Sequence, residues 1–247
     1  MSFSTDIGKI LVVIPTYNEK DNIEDITRYV LNITAKEFDI LVVDDNSPDG
    51  TAEIVENLMT EFPNRLFIQK RAGKLGLGTA YIHGFKWGLE KNYEYLIEMD
   101  ADFSHNPDDL IKLYEACKNG ADVAIGSRYS QGVNVVNWPM SRVLMSYFAS
   151  VYVRWITRMP IRDTTAGFVC YNHQVLRKMK LDKIKFIGYA FQIEMKFVAW
   201  KLGYNIQEVS IIFTDRTKGV SKMSNAIIKE AILGVISLRL KKLFNTL

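Results

Sequence analysis

The chain is 247 residues long, 48% apolar and 24% charged, which suits one large α/β domain with ample core material that folds unaided. No uncharged apolar run approaches the roughly 18 to 20 residues that span a bilayer; Val143 to Val153 is eleven residues, so the chain is not expected to be integral to a membrane. Net charge is +3, but Arg216 to Leu247 holds seven basic residues (Arg216, Lys218, Lys222, Lys229, Arg239, Lys241, Lys242) against Glu230, leaving +6 at that end and −3 elsewhere. This asymmetry points to an anionic partner at the C-terminal side. The tail lacks interleaved aromatics and dense basic runs, so a phospholipid surface fits it better than a nucleic acid.

In chain order, Ile10 to Ile14 is a short apolar run between Gly8 and Pro15, as expected of a strand buried on both faces. A helix is predicted from Asp21 to about Asn32, and a second buried strand from Asp39 to Val43 ends in Asp44-Asp45. Ser47-Pro48-Asp49-Gly50-Thr51 turns the chain into a helix over Ala52 to Glu61, and Arg65 to Gln69 reads as a third strand. A glycine-rich loop follows, then a helix from about Thr79 to Lys91, a strand from Tyr93 to Met99, a helix from Asp108 to Asn119 and a strand from Ala121 to Ile125. Strands alternating with helices predict a mostly parallel sheet with helices on both faces, and ligands at the carboxyl ends of the strands.

The acids fall where that rule places ligands. Asn18-Glu19, Asp44-Asp45 and Asp100-Ala101-Asp102 each follow a separate strand and are expected to converge on one crevice. Carboxylates at i and i+2 leave one face of an extended strand end together, so Asp100 and Asp102 can share a hard cation, which in turn can hold a diphosphate. The alternative is a capping pair, since Asp is common wherever a strand turns into a helix. Asp21, Asp49 and Asp108 read as caps or Asx-turns.

Arg71 to Thr79 has glycines at 73, 76 and 78 but neither GxxxxGK[ST] nor GxGxxG spacing. It admits two readings: close backbone approach to an anion at a helix N-terminus, with Lys74 neutralising a phosphate, or plain helix entry with a solvated Lys74. Cys117 and Cys170 show no CxxC or Cys/His metal spacing, and the N-terminus has no charged-then-apolar leader pattern; both point to a reducing cytoplasm.

Seven segments occur in an order that carries more information than any one of them: Val13 to Glu19 (VIPTYNE), Val42 to Thr51 (VVDDNSPDGT), Asp100 to Asp102 (DAD), Gly126 to Tyr129 (GSRY), Trp138 to Arg142 (WPMSR), Asp163 to Phe168 (DTTAGF) and Arg216 to Lys222 (RTKGVSK). Together they resemble the family 2 glycosyltransferases of GT-A fold, and among those the dolichyl- or polyprenyl-phosphate β-D-mannosyltransferases. The resemblance runs from Ile10 to about Lys222.

It implies a GT-A domain over residues 1–222, with 223–247 an amphipathic interfacial helix of the same unit. It also implies inverting, metal-dependent transfer of mannose from GDP-mannose to a polyprenyl phosphate at the cytoplasmic face of a membrane. Position by position, Pro15, Tyr17, Glu19, Val43 and Asp45 match the family's nucleotide pocket, and Asp100, Ala101 and Asp102 its diphosphate site, with Asp100 and Asp102 holding Mg2+ or Mn2+. Arg128, Arg216 and Lys222 match basic contacts to the nucleotide sugar and the acceptor phosphate; Arg142 and Ser146 match further contacts to the lipid phosphate. Asp102, Arg128 and Arg216 are the expected catalytic set. Some relatives carry Gln where this chain has Ser104, and the shorter side chain would leave a coordination position to water. The neighbouring readings are a polyprenyl-phosphate glucosyltransferase using UDP-glucose and a noncatalytic nucleotide-sugar-binding membrane protein.

Two helices leave alternatives open. Ser146 lies one turn beyond Arg142 on a predicted helix from Pro139 to Met159 that is apolar on most sides (Leu144, Tyr147, Phe148, Val151, Tyr152, Trp155, Ile156), with Arg154 and Arg158 spaced i,i+4. Such a helix is either buried core or an interfacial element at headgroup depth. Ile228, Ile232, Val235, Ile236, Leu240 and Leu243 form a second stripe beside Arg239, Lys241 and Lys242, which is either core packing or, as favoured, peripheral membrane contact.

Overall fold

The computed structural model describes residues 8–188, 190–216, 218 and 234–239. Five strands follow the predicted series: β1 (Ile10–Thr16), β2 (Asp39–Asp44), β3 (Leu66–Lys70), β4 (Tyr95–Glu98) and β5 (Val123–Ser127). Between them run α1 (Ile23–Leu31), α2 (Thr51–Met59), α3 (Leu77–Glu90) and α4 (Asp109–Lys118). Beyond β5 come β6 (Val135–Val136), α5 (Met140–Thr157), β7 (Val169–Asn172), α6 (His173–Lys178), α7 (Ala190–Lys201), β8 (Ile206–Ser210) and β9 (Phe213–Thr214).

The main sheet has seven strands in the order β3-β2-β1-β4-β7-β5-β8. Its pairings are parallel except at β7, which runs antiparallel to both β4 and β5. β7 enters after the excursion through β6 and α5 rather than by a short strand-helix crossover, which frees it from the parallel direction. β6 and β9 pair as a separate parallel ribbon.

Strand alternation divides the core between the two faces. Leu11 and Val13 of β1 face one cluster with Tyr81 and Phe85 of α3, Val175 and Leu176 of α6 and Phe191 of α7. Ile10, Val12 and Ile14 face the other, with Ile23 and Ile26 of α1, Val55 of α2 and Leu110 of α4. All five β1 residues are at most 2% exposed, each worth about 1.5 to 3 kcal/mol of burial. That is why the central strands read as continuous apolar runs. The two cysteines meet across this core as buried free thiols, with Cys117 Sγ 3.6 Å from the Cys170 carbonyl oxygen.

At the C-terminal side, residues 234–239 are helical, with Val235 and Leu238 packed into the α3/α7 cluster and Ile236 exposed. Lys222, the expected boundary at 222 and the rest of the predicted stripe (Ile228, Ile232, Leu240, Leu243) lie outside the described residues. No helix among the described residues is long and apolar enough to cross a membrane.

Candidate active site

β1 lies between β2 and β4 in the sheet, so the acid-bearing turns after these three strands are contiguous. Each turn contains a non-glycine residue in the left-handed region: Asn18 (φ 56°), Asn46 (φ 58°) and Phe103 (φ 58°). Asn tolerates this conformation; a bulky aromatic does not adopt it readily. The Phe103 ring is anchored edge-on to Tyr29 of α1 at 6.4 Å, while its neighbours Asp102 and Ser104 line a cavity.

That cavity has a volume of about 510 Å³. Asp100 and Asp102 form one wall. Tyr81 donates its hydroxyl proton to Asp100 (3.3 Å), and the Ser104 amide donates to Asp102 (3.0 Å). The other Asp102 oxygen is 2.8 Å from the Arg216 guanidinium. Burial, with repulsion from Asp102 added, pushes the Asp100 carboxyl up to about 7. The pair is therefore short of positive charge even with Arg216 present.

The opposite wall is basic and aromatic. Arg128 is buried and forks onto Asp163 through Nε (2.7 Å) and Nη2 (2.6 Å), with a further bond to Thr165. Burial works against the Asp163 charge, but Arg128 overcomes it and holds the carboxyl below the usual range. The Arg142 guanidinium stacks on Trp138 at 4.1 Å and pairs with Asp215 at 2.8 Å. Ser146 accepts a hydrogen bond from Tyr129 (2.8 Å).

The segment Phe213–Arg216 straps this wall to the acid turn. Phe213 packs edge-on to His105 (5.4 Å), the Thr214 amide donates to the Ser104 carbonyl (3.2 Å), and the Asp215 amide donates to Val136 of β6 (3.1 Å). His105, stacked on Phe168 at 4.8 Å, is driven by burial down to about 4 and is neutral at pH 7.

Along α5 the cavity becomes apolar, lined by Met145, Phe148, Ala149, Tyr152 and Val153. Only Ser150, Val153 and Thr157 of α5 are buried, while Met140 is 70%, Leu144 48%, Phe148 60% and Trp155 78% exposed. The helix takes part in both readings: Val153 enters the core with Tyr152 and Ile156 packed against it, while Met140, Leu144, Phe148 and Trp155, at i, i+4, i+8 and i+15, lie on an outward face. Exposed apolar surface of this extent marks an interaction site rather than a folding core.

The predicted nucleotide residues do not line this cavity; they form the adjoining rim over β1 and β2. Tyr17 has the Lys74 ammonium 4.7 Å above its ring. Asp45 is buried, salt-bridged to Arg71 at 2.5 Å and bonded to the Leu75 amide at 3.1 Å. Glu19 accepts from Asn22 (3.0 Å) and is close enough to raise the Asp100 carboxyl. Pro15 pairs with Val43 across β1 and β2. Val43 and Ala101 are buried in the core, so their side chains are spent on packing and only their main chains are left for a ligand.

The glycine-rich loop follows its helix-entry reading. Gly76 takes a left-handed φ of 101°, and a Cβ at Gly78 would lie 2.7 Å from the Phe191 ring, so both serve the seating of α3. Asp49 makes the expected Asx-turn onto Thr51. Asp108 starts α4 without a side-chain cap and instead receives the Tyr29 hydroxyl at 3.2 Å.

Sequence reasoning missed the group beneath the cavity. Glu98, two residues before Asp100, is fully buried and burial raises it to about 8. Lys196 of α7, also fully buried, is lowered to about 8 for the same reason. The available signal was a lysine in a helix with no polar face, AFQIEMKFVAWK.

A family model described as glycosyl transferase family 2 matches residues 11–185. Over 227 residues the chain is 45% identical to a polyprenol monophosphomannose synthase from Mycolicibacterium smegmatis, covering 92% of this chain and 85% of the relative. It is 44% identical to an undecaprenyl-phosphate mannosyltransferase from Micrococcus luteus, covering 92% of each.

Among solved structures, the fold matches glucosyl-3-phosphoglycerate synthase from Mycobacterium tuberculosis in complex with Mn2+, UDP and phosphoglyceric acid. The TM-score is 0.68 at 15% identity, covering 95% of this chain and 78% of the other. It also matches a mannosyltransferase from Pyrobaculum calidifontis in complex with GDP-Man and Mn2+, with a TM-score of 0.59 at 14% identity, covering 96% and 64%. At such identities these two structures speak for the fold alone. With the family model spanning most of the described sheet and two relatives aligned over 92% of its length, the chain belongs to glycosyl transferase family 2.

Proposed function

We propose that this chain transfers mannose from GDP-mannose to a polyprenyl phosphate, giving the β-linked polyprenyl mannosyl phosphate, while resting on the cytoplasmic face of a membrane. The carrying observation is a single cavity that joins the Asp100/Asp102 pair, the guanidinium groups of Arg128, Arg142 and Arg216, and the apolar face of α5. Those three surfaces suit a diphosphate, a phosphate and a lipid tail in turn. The names of the two relatives support the same transferred sugar and acceptor class.

The residues present fit a divalent cation. Asp100 and Asp102 are two hard oxygen donors, and burial, with the neighbouring charge added, lifts the Asp100 carboxyl to about 7. Among the described residues no third His, Cys, Asp or Glu completes a cage, which suits Mg2+ or Mn2+ bound by one or two carboxylates and completed by substrate phosphates and water. Such an ion would stabilise the negative charge growing on the leaving diphosphate.

The remaining work falls to the chain's own groups. Tyr17, Glu19 and Asp45, with the main chain at Pro15 and Val43, hold the base and ribose on the rim. Asp45 has spare capacity, because a carboxylate offers about four lone-pair sites. Arg216 extends the positive charge over the diphosphate, and Arg142 with Ser146 receives the acceptor phosphate. Arg128, locked by Asp163, presents a fixed positive surface between them. Lys222 joins this set on its motif alone.

The acceptor phosphate has a second pKa of about 6 and arrives largely ionised, so no protein base is required. Its oxygen bonds to the anomeric carbon as the bond to the diphosphate oxygen breaks, inverting that carbon. Bringing two anions together in line is the main task of the basic wall, and the outward face of α5 seats the acceptor's bilayer against the cavity mouth.

The test is a donor and acceptor screen, GDP-mannose against UDP-glucose and polyprenyl phosphates against water-soluble sugars, with product identification. A β-mannosyl phosphate lipid is the expected product. An α-linked product would require a second displacement, and no turnover with any donor would leave a binding protein.

A further inference from the structure

His105 closes the turn that carries Asp100 and Asp102, is 3% exposed, and lines the cavity together with them and Arg128. Its ring is clamped on two sides: Phe168 stacks on it at 4.8 Å with the planes 12° apart, and Phe213 meets it edge-on at 5.4 Å. A backbone bridge to Phe213 fixes the residue from the main-chain side as well. The ring is thus held in one orientation, and its two nitrogens stand in different surroundings.

Nδ1 accepts the Asp100 amide in a long hydrogen bond of 3.5 Å. A backbone N–H can only donate, so Nδ1 is the bare nitrogen and the proton of the neutral ring sits on Nε2. Nε2 closes no hydrogen bond among the described residues, yet it is not one of the sealed polar atoms, as Ser104 Oγ next to it is. What opening the ring has is on the cavity. The charges of Asp102 and Arg128 both reach the ring, which places it where the acid turn meets the basic wall.

We propose that His105 is a further substrate-binding residue, its Nε2–H donating to a phosphoryl oxygen held in the cavity. This rests on the reading of the cavity as the meeting place of two phosphate-bearing substrates, and it adds a neutral, rigid donor to the charged ones. A phosphoryl oxygen is the acceptor expected there, because Arg128 nearby favours an anion and a protonated Nε2 has no acceptor capacity. The ring offers one proton from one fixed direction, so it orients the phosphoryl group where the arginines chiefly attract it. The oxygen belongs to the donor diphosphate or to the acceptor phosphate, and titration separates the two.

Two variants divide the ring's nitrogens. His105→Asn offers an oxygen where Nδ1 stands, keeping the Asp100 amide, and loses the donor at Nε2; His105→Gln reaches the Nε2 position with its NH2 and gives up the acceptor at Nδ1. Binding of a nucleoside diphosphate (GDP or UDP, whichever the unmutated protein binds, with Mg2+) and of a short, water-soluble prenyl phosphate is measured separately. The Asn variant should lose about tenfold on at least one of them, the scale of one hydrogen bond to a charged group, while the Gln variant stays within about threefold. The ligand that is lost names the phosphate. A Gln variant as impaired as the Asn variant, or an Asn variant within about twofold on both ligands, would overturn the proposal and leave His105 as packing beneath the Asp100 turn.

Because His105 is buried, the unmutated protein supplies a second measurement. The chain has three histidines, so NMR of isotope-labelled imidazole nitrogens, assigned with His83→Gln and His173→Gln, resolves each ring. His105 should appear as the Nε2–H tautomer, with its ring proton signal moving when one of the two ligands is added. The Nδ1–H tautomer, or an Nε2–H signal that neither ligand moves while both bind, would overturn the proposal alone. If the unmutated protein binds neither ligand, the transferase reading falls and this assignment with it.

Discussion

The turns after β2 and β4 carry the same residue type at the same end of neighbouring parallel strands, yet the fold treats their acids in opposite ways. After β2, Asp44 accepts from Thr16 Oγ1 (2.8 Å), Ser47 Oγ (2.5 Å) and the Ser47 amide (2.9 Å), and Asp45 is held by Arg71 and the Leu75 amide. Asp44 is closed within its own turn, while Asp45 keeps lone pairs for a ligand. After β4, Asp100 has a long bond to Tyr81 and Asp102 one amide and one arginine, and both face a cavity. Where the lone pairs of a strand-end acid are used up locally, it holds the turn; where they are left facing space, it holds a ligand.

The sharpest way to break this comparison is the same substitution in both turns. Asp102→Asn should lower turnover by roughly 10³-fold or more, because charge at the diphosphate is the largest electrostatic contribution available there, with little change in melting temperature. Asp44→Asn should do the reverse, costing about 1 to 3 kcal/mol of stability for its orphaned donors and changing turnover little. Normal turnover in the Asp102 variant, or an unchanged melting temperature in the Asp44 variant, would dissolve the distinction.

Next in size is the basic wall. Arg142→Ala removes a guanidinium held on Trp138 and Asp215 and should weaken acceptor-phosphate binding by roughly 10- to 100-fold, the worth of a charge-assisted hydrogen bond. Nucleotide-sugar affinity should stay within about twofold of the unmutated value. Separate titrations of the two ligands read this directly, and equal losses would move Arg142 out of the acceptor site.

What the sequence revealed follows the same physics. The strands ending at Thr16, Asp44 and Glu98 were legible because residues buried on both faces leave unbroken apolar runs, and the acids beyond them mark the carboxyl ends. β7 was not legible: it is four residues long, VCYN, and its place depends on remote pairings, with β4 as far as Tyr95 to Asn172 and with β5 as far as Val123 to Tyr171. Apolar periodicity also could not separate a buried α5 from an outward-facing one, since both present the same residues and only packing tells them apart. Partners remote in sequence were hidden for the same reason. Arg71 on Asp45, Asp163 on Arg128 and Lys196 on the Ala166 carbonyl are contacts made by topology, though Asp163 opened a quoted motif.

A smaller effect is expected where α5 faces outward. Met140 and Trp155 do not line the cavity and are 70% and 78% exposed. Met140→Glu and Trp155→Glu should each lower partition onto anionic phospholipid vesicles by about tenfold, given about 1.5 to 3 kcal/mol for inserting such a side chain. Turnover with a short, water-soluble prenyl phosphate should remain. Vesicle binding that ignores both changes would detach the α5 face from the membrane.

A pH-dependent effect lies beneath the β4 turn, where a buried lysine accompanies the cavity-facing acids. Burial lowers Lys196 from the ordinary 10.5 to about 8, with Glu98 opposing the shift. Between those two pH values the unfolded chain keeps the lysine proton and the native protein has released it. The unfolded state therefore binds more protons, and the unfolding free energy contributed by Lys196 rises with pH across that window. Below about pH 8 both states are protonated and the slope disappears, leaving the native protein with the full cost of a buried ammonium. Lys196→Met should flatten the rise, which amounts to on the order of a few kcal/mol over the window. Denaturant unfolding of both proteins at a series of pH values, read as a difference so that other lysines and tyrosines cancel, checks the sign. Parallel pH curves for the two proteins would mean that Lys196 keeps its proton in the fold up to the ordinary lysine range.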